Sequence, residues 1–352
     1  MIRSDITITV SESLNIENHA ALLDYLRASN RIAPNESPRF ETLTGGVSNR
    51  TVLVERLTGE SWVIKQALAK LRTRADWFSD PSRVHREALG IRWLSKLAPS
   101  STITPLIFED FAHHLIAMQA VPRPHENWKA MLLAGRTKMS HVEQFGELLA
   151  GIHRRAAESD EPLKELFDDR SFFESLRLEP YYQYTAVQVP QAAEFLHQLI
   201  EDTRARRLTL AHGDYSPKNI LVHNERLMLI DHEVVHWGDP AFDVGFALTH
   251  LLSKAHHLLD PALTRAAQEF LLVYKASAGP VFRDANLQTM MVRHTLACLL
   301  ARVAGRSPLE YLNERQRARQ QSVIVSLISD PPDTADELIR LFVMRIGPNA
   351  ED

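Results

Sequence analysis

The sequence predicts an α+β protein, with an antiparallel sheet and one helix early in the chain and helices through most of the remainder. Three observations carry this reading. Residues 40–66 alternate β-branched runs with Gly-containing turns. Beyond about residue 140, apolar side chains recur at helical spacing. Strand-like and helix-like segments are also segregated and do not alternate, which argues against a parallel α/β sheet.

Residues 17–28, ENHAALLDYLRA, read as a short helix. In ETLTGGVSNRTVLVERLTGESWVIKQ, the turn clusters TGGVSN and LTGES separate three strands. Residues 82–97, SRVHREALGIRWLSKL, predict a helix, with Val84, Glu87, Ala88, Ile91 and Leu94 on its core-facing stripe and Arg83, His85, Arg86 and Lys96 elsewhere. TPLIFEDF and HLIAMQAV complete a five-stranded sheet. The run VPRP at Val121–Pro124 breaks the last strand and marks a boundary, giving domains 1–121 and 122–352. In the second part, Val142, Phe145, Leu148, Leu149 and Ile152 share one helical face. AAEFLHQLIEDTRA and much of 241–325 show the same period, and NILV and LMLID around HNER predict a hairpin at about 219–231.

Composition narrows the class. The 352 residues carry 45% hydrophobic and 24% charged side chains, ordinary for a globular chain of about two domains. Forty Lys and Arg against 44 Asp and Glu give a formal charge of −4, so there is no bulk attraction to nucleic acid or an anionic membrane. The single cysteine, Cys298, excludes an internal disulfide and a Cys-rich zinc site. MIRSDITITVSESLNIENH contains no apolar run of signal-peptide length, and no segment is long enough to span a bilayer. The expectation is a cytoplasmic protein with no nucleic-acid or membrane partner; the oligomeric state is left open.

The strongest chemical signal is HGDYSPKNILVHNERLMLIDHEVVHWGDPAFD, residues 212–243. Asp214 precedes Asn219 by five residues, and the second strand of the hairpin ends in Asp231. Phosphoryl transfer uses such a set. One carboxylate orients the acceptor hydroxyl, while Asn and Asp oxygens are hard ligands for Mg²⁺ against nucleotide phosphates. In GDPAFD, Asp239 and Pro240 suit a helix start, and Asp243 falls in the first turns. Residues 232–236 also spell HEVVH, the zinc-peptidase pattern, but the apolar strand before and the turn after leave too little room for the helix which that chemistry requires.

These motifs resemble the aminoglycoside phosphotransferase, choline kinase and methylthioribose kinase branch of the protein-kinase-like superfamily, over most of residues 40–305. His212-Gly213-Asp214 is similar to that branch's HGD, where protein kinases carry HRD. The resemblance implies a bilobal protein-kinase-like fold with ATP and Mg²⁺ as cofactors and a small-molecule hydroxyl acceptor as partner. It makes Asp214 the catalytic base and Asn219 and Asp231 the metal ligands. Lys65 would hold the nucleotide phosphates, paired with Glu87, and the loop with Gly45, Gly46, Ser48 and Asn49 would cover them. Gln119 and Val121 would border the adenine at the hinge. His212, Lys218, Glu233 and Asp243 would support the site, with Glu233 completing a D-x-E similar to that of methylthioribose and choline kinases.

VIKQALAKLR and WFSDPSRVHREAL resemble methylthioribose kinase segments, whereas HGDYSPKN is closer to the general phosphotransferase form. Arg293 and Arg302 are separate candidates for a substrate clamp. The implied activity is phosphorylation of a methylthioribose-like sugar or an amino alcohol. An aminoglycoside or other antibiotic phosphotransferase, a nucleotide-binding pseudoenzyme and a zinc peptidase are the alternatives.

Overall fold

The computed structural model describes residues 14–44, 46–73 and 76–347. Chain contacts divide the described residues into two units, those up to residue 85 together with 106–120, and 86–105 together with those from 121 onward.

In the first unit, α1 (His19–Ala28) starts at Asn18, whose side chain accepts from the Ala21 amide. Among the described residues a five-stranded antiparallel sheet follows, in the order β1-β2-β3-β5-β4. Its strands are β1 (Arg39–Thr42), β2 (Asn49–Glu55), β3 (Ser61–Ala67), β4 (Leu106–Asp110) and β5 (Leu115–Gln119). Leu22 and Leu26 of α1 pack with Val52, Val54, Trp62, Ile64, Phe108, Leu115 and Ala117 in one buried cluster. The period-2 pattern of β2 and β3 supplies that face. The hairpin register sets Lys65 opposite Thr51 on one side and Ile116 on the other.

Helix α2 (Arg83–Leu97) begins in the first unit and continues into the second. Val84, Glu87, Ala88, Ile91 and Leu94 are buried, as the helical spacing predicts. Arg83 corrects the sequence reading, because it too is fully buried. Its guanidinium donates to the carbonyls of Ser48, Leu68 (3.0 Å), Ser79 (3.3 Å) and Asp80 (3.1 Å), so hydrogen bonds take the place of water.

The second unit is mostly helical. A short strand β6 (Glu126–Asn127) leads into α3 (Trp128–Leu133) and then α4 (Met139–Ala157), whose Val142, Phe145, Leu148, Leu149 and Ile152 are buried. Among the described residues two small sheets carry the chemistry-bearing loops. Strand β7 (Thr209–Ala211) pairs antiparallel with β10 (His236–Gly238), and β8 (Ile220–His223) pairs with β9 (Arg226–Leu229). Helix Pro240–Leu258 runs through the middle of this unit with nearly every residue buried. Among the described residues no helix is long and apolar enough to cross a membrane.

Candidate functional site

Strand β7 delivers the chain into the loop 212–219, and β10 returns beside it. Gly213 has φ +75°, and a Cβ there would lie 2.9 Å from the Val234 carbonyl oxygen. Both the left-handed backbone and the crossing segment therefore demand glycine. The loop is braced from beneath. Helix Pro240–Leu258 is capped by Asp239, whose side chain accepts from the Ala241 amide, and this places Asp243 in its first turn.

Asp243 accepts from the amides of His212 (2.6 Å) and Gly213 (2.8 Å) and from His153 Nε2 (3.1 Å). His153 is held in turn by the Tyr274 hydroxyl at 2.9 Å. Burial opposes a charge on Asp243, but the His153 hydrogen bond and the charges and amides around it outweigh that, and its pKa is lowered. His212 is pushed the other way by burial, which lowers its pKa. Its Nδ1 accepts from the Asp214 amide (3.3 Å), which assigns the proton to Nε2, 3.1 Å from His232 Nδ1. Tyr215 then anchors the loop, its hydroxyl donating to the Phe145 carbonyl at 2.7 Å.

With the backbone fixed, Asp214 is held from two sides. Asn219 Nδ2 donates to its Oδ2 at 2.7 Å and to its carbonyl at 2.9 Å. Arg177 Nη2 lies 2.8 Å from its Oδ1. Because Nδ2 of Asn219 serves Asp214 twice, Oδ1 is the atom left for a ligand. The hairpin joins Asn219 to Asp231, since the Ile230 amide donates to the Asn219 carbonyl at 3.0 Å. Asp231 itself has φ +69°, an uncommon conformation for a non-glycine residue.

Carboxylate oxygens of Asp231, Glu233 and Glu87 lie within 4.8 Å of one another. Three acids at that spacing repel unless a cation lies among them, and all-oxygen donors suit Mg²⁺ or Ca²⁺. Helix α2 reaches this segment closely, since a Cβ on Gly90 would meet His232 Cβ at 3.0 Å. The His232 amide donates to Glu87 Oε1 at 3.4 Å.

Arg177 is the residue that sequence reasoning missed. It lies in the π-helical stretch Glu174–Gln183, buried, with Nε donating to the Gly213 carbonyl at 2.7 Å. Burial disfavours its charge, but Asp214, Tyr181, Glu233 and Asp231 more than offset this and raise its pKa. The only sequence signal was a lone arginine inside the apolar run SLRL.

The remaining candidates fall as follows. Lys218 is exposed, and its carbonyl accepts from Asn127 Nδ2 at 2.7 Å. In the first unit, Lys65 and Asn49 are buried, and Ser48 Oγ accepts from Asn49 Nδ2 at 3.1 Å. Gly46 and Gln119 are exposed, and Val121, in the second unit, is buried. Gly45 lies outside the described residues. Arg293 pairs with Asp202, whereas Arg302 donates to the Tyr181 hydroxyl at 2.9 Å. The zinc-peptidase pattern fails on geometry. Residues 232–235 form a turn, not a helix, and His236 lies in β10, stacked on Phe173 with Nδ1 donating to the Val234 carbonyl.

A family model described as the phosphotransferase enzyme family matches residues 39–280. The chain belongs to this family. Its matched span includes the 212–219 loop, the hairpin and Asp243. Among curated relatives, the chain is 26% identical over 220 residues to a methylthioribose kinase of Pectobacterium atrosepticum, covering 54% of this chain and 53% of that protein. It is 24% identical over 267 residues to methylthioribose kinase 2 of Oryza sativa subsp. japonica, covering 67% of this chain and 62% of the relative. The chain thus spans between half and two thirds of the length of these relatives. Among solved structures, choline kinase from Cryptosporidium parvum aligns over 94% of this chain and 99% of its own, with TM-score 0.55 and 10% identity. An amicoumacin kinase in complex with AMP-PNP and Ca²⁺ aligns over 84% and 90%, with TM-score 0.50 and 15% identity. These two share the protein-kinase-like α+β fold with this chain.

Proposed function

We propose that this chain is an ATP- and Mg²⁺-dependent phosphotransferase that moves the γ-phosphoryl group to a hydroxyl of a small metabolite, with a methylthioribose-like sugar or an amino alcohol as acceptor. The observation that supports it most is the loop around Asp214. One carboxylate is fixed by Arg177 and Asn219, on a backbone braced by Asp243, beside a hairpin whose second strand ends two residues before Asp231. Family membership and the methylthioribose kinase relatives favour the same chemistry.

In this reading Asp214 hydrogen-bonds the acceptor hydroxyl and takes its proton as the new P–O bond forms and the bond to the leaving diphosphate breaks. Its hydrogen bonds from Arg177 and Asn219 fix the carboxylate before substrate arrives, so little reorganisation accompanies the transfer. Asn219 Oδ1 and Asp231 hold Mg²⁺, with Glu233 beside them; the ion supplies charge neutralisation between the phosphates. Lys65 would hold the α- and β-phosphates, with Glu87 its expected partner, and the loop of Gly45, Gly46, Ser48 and Asn49 would supply phosphate contacts. Gln119 and Val121 border the adenine, and Lys218 adds positive charge at the loop. Asp243 and His212 act only through the loop's position.

The test is ADP release from Mg-ATP across a panel of methylthioribose, other sugars, amino alcohols, hydroxy amino acids and aminoglycosides. Mg²⁺-dependent turnover with one of them supports the proposal. Absence of both nucleotide binding and turnover refutes it.

A further inference from the structure

The surroundings of Asp214 on the helical side are unusually cationic. Arg177 leads outward from the carboxylate, with its guanidinium 5.8 Å from the Tyr181 ring and 5.9 Å from the Phe246 ring. Arg302 takes the same Tyr181, 5.6 Å from the ring centroid and hydrogen-bonded to the hydroxyl. The His250 ring sits 4.9 Å from Phe246. One helical turn further along, Lys254 is fully buried, with Nζ 5.3 Å from the Tyr311 ring. Lys129 lies 5.9 Å from that same ring.

Carboxylates do not balance these charges. Lys129 pairs with Glu310, and Arg177 pairs with Asp214. Among the described residues neither Lys254 nor Arg302 has an ion-pair partner. Lys254 spends one of its three donors on the His250 carbonyl at 3.1 Å, within its own helix. Beside it, the Tyr311 hydroxyl is buried without a hydrogen-bond partner.

A buried ammonium without a counter-ion is costly, and the cost shows in its acidity. Burial, with Lys129 and Arg302 nearby and Glu310 opposing them only in part, pushes Lys254 down to about 7. His250 is likewise driven well down by burial and by Lys254, Arg302, Lys129 and Lys218. Positive charge therefore converges from α3, the 212–219 loop and two long helices, on a region that adjoins the carboxylate of Asp214.

We propose that the acceptor carries an anionic group, a carboxylate or a phosphate, in addition to its hydroxyl, and that Lys254 and Arg302 receive it. This rests on the phosphotransferase reading and sharpens it. An anion would restore charge balance and satisfy the spare donors of Lys254 and the Tyr311 hydroxyl together. A quaternary ammonium or a polycationic aminoglycoside would meet like charge instead. Of the two leading acceptor classes, the amino alcohol meets like charge, and a sugar fits when it also carries an acid group, which methylthioribose itself lacks.

The test is calorimetric binding to the full chain, with and without Mg²⁺ and a non-hydrolysable ATP analogue. Ribose, ribonate and ribose 5-phosphate form a charge series, and choline serves as the cation. At least one anionic sugar is expected to bind about tenfold or more tightly than ribose or choline, the scale of one charge-assisted hydrogen bond. Tighter ribonate assigns a carboxylate, and tighter ribose 5-phosphate assigns a phosphate. Lys254→Met should bring the ratio close to one; if that chain fails to fold by circular dichroism, Arg302→Met gives the same readout.

Ribose or choline binding as tightly as the anions, no anion binding at all, or an unchanged ratio in a folded variant overturns the proposal. Nucleotide binding without anion preference defeats this inference alone. Anion preference without nucleotide binding defeats the phosphotransferase reading and leaves the anion site standing.

Discussion

Asp243 and Lys254 stand on one helix, both fully buried, and their surroundings differ completely. Asp243 accepts three hydrogen bonds and keeps its charge against the cost of burial. Lys254 has one bond, to its own helix, and its pKa falls to about 7. A buried charge whose partners are all present serves the architecture. One with a single hydrogen bond and no ion pair calls for an explanation, which the proposed anion supplies.

The difference can be broken or sharpened by substitution. The largest effect is expected at the carboxylate that the braced region holds in place. Asp214→Asn should lower kcat by about two to four decades, the usual range for a general base, with Mg-nucleotide binding retained. Turnover at the parent rate would remove Asp214 from the reaction.

Next comes the brace itself. Asp243→Asn loses a charge-assisted acceptor and should cost on the order of 3–5 kcal/mol in urea unfolding. The sign with pH follows from its lowered pKa. The stability it contributes is complete above about pH 4, the unfolded range, and is lost as pH falls through the lower folded value. The parent should thus lose stability steeply in acid, and the variant less so.

The smallest effect has the opposite sign. Lys254→Met should stabilise the ligand-free chain by on the order of 1–4 kcal/mol, because an apolar side chain replaces an uncompensated one. Lys254 is lowered from 10.5 to about 7, so between those pH values the unfolded chain binds the extra proton. Parent stability should therefore rise with pH across that window, and this component should vanish in the variant. A destabilised variant with an unaltered pH slope would mean that Lys254 already has what it needs.

Much of the 212–219 loop was legible because its candidate residues are read from spacing along a short segment. Asp214, Asn219 and Asp231 fall within eighteen residues, and Gly213 is required by its own backbone. Glu87 was visible as an acid on an apolar stripe. Arg177 was not, because the π-helical run 174–183, with Pro180 inside it, has no 3.6-residue period to set it against. Arg83 was misjudged because its burial is paid in carbonyl hydrogen bonds from segments far along the chain. Lys254 escaped notice for a related reason. Helix Pro240–Leu258 is buried on all sides, so one lysine in its pattern reads as a solvated spot when no solvent-facing stripe exists.

Asp243 and Lys254 are eleven residues apart on that unbroken helix, a separation of roughly 16 Å at the helical rise. The interval cannot stretch without rupturing backbone hydrogen bonds. With an anion seated at Lys254 and the reacting oxygen at the loop that Asp243 supports, the helix becomes a gauge. The spacing between an acceptor's anion and its hydroxyl then becomes a criterion of selection, before any question of reactivity arises.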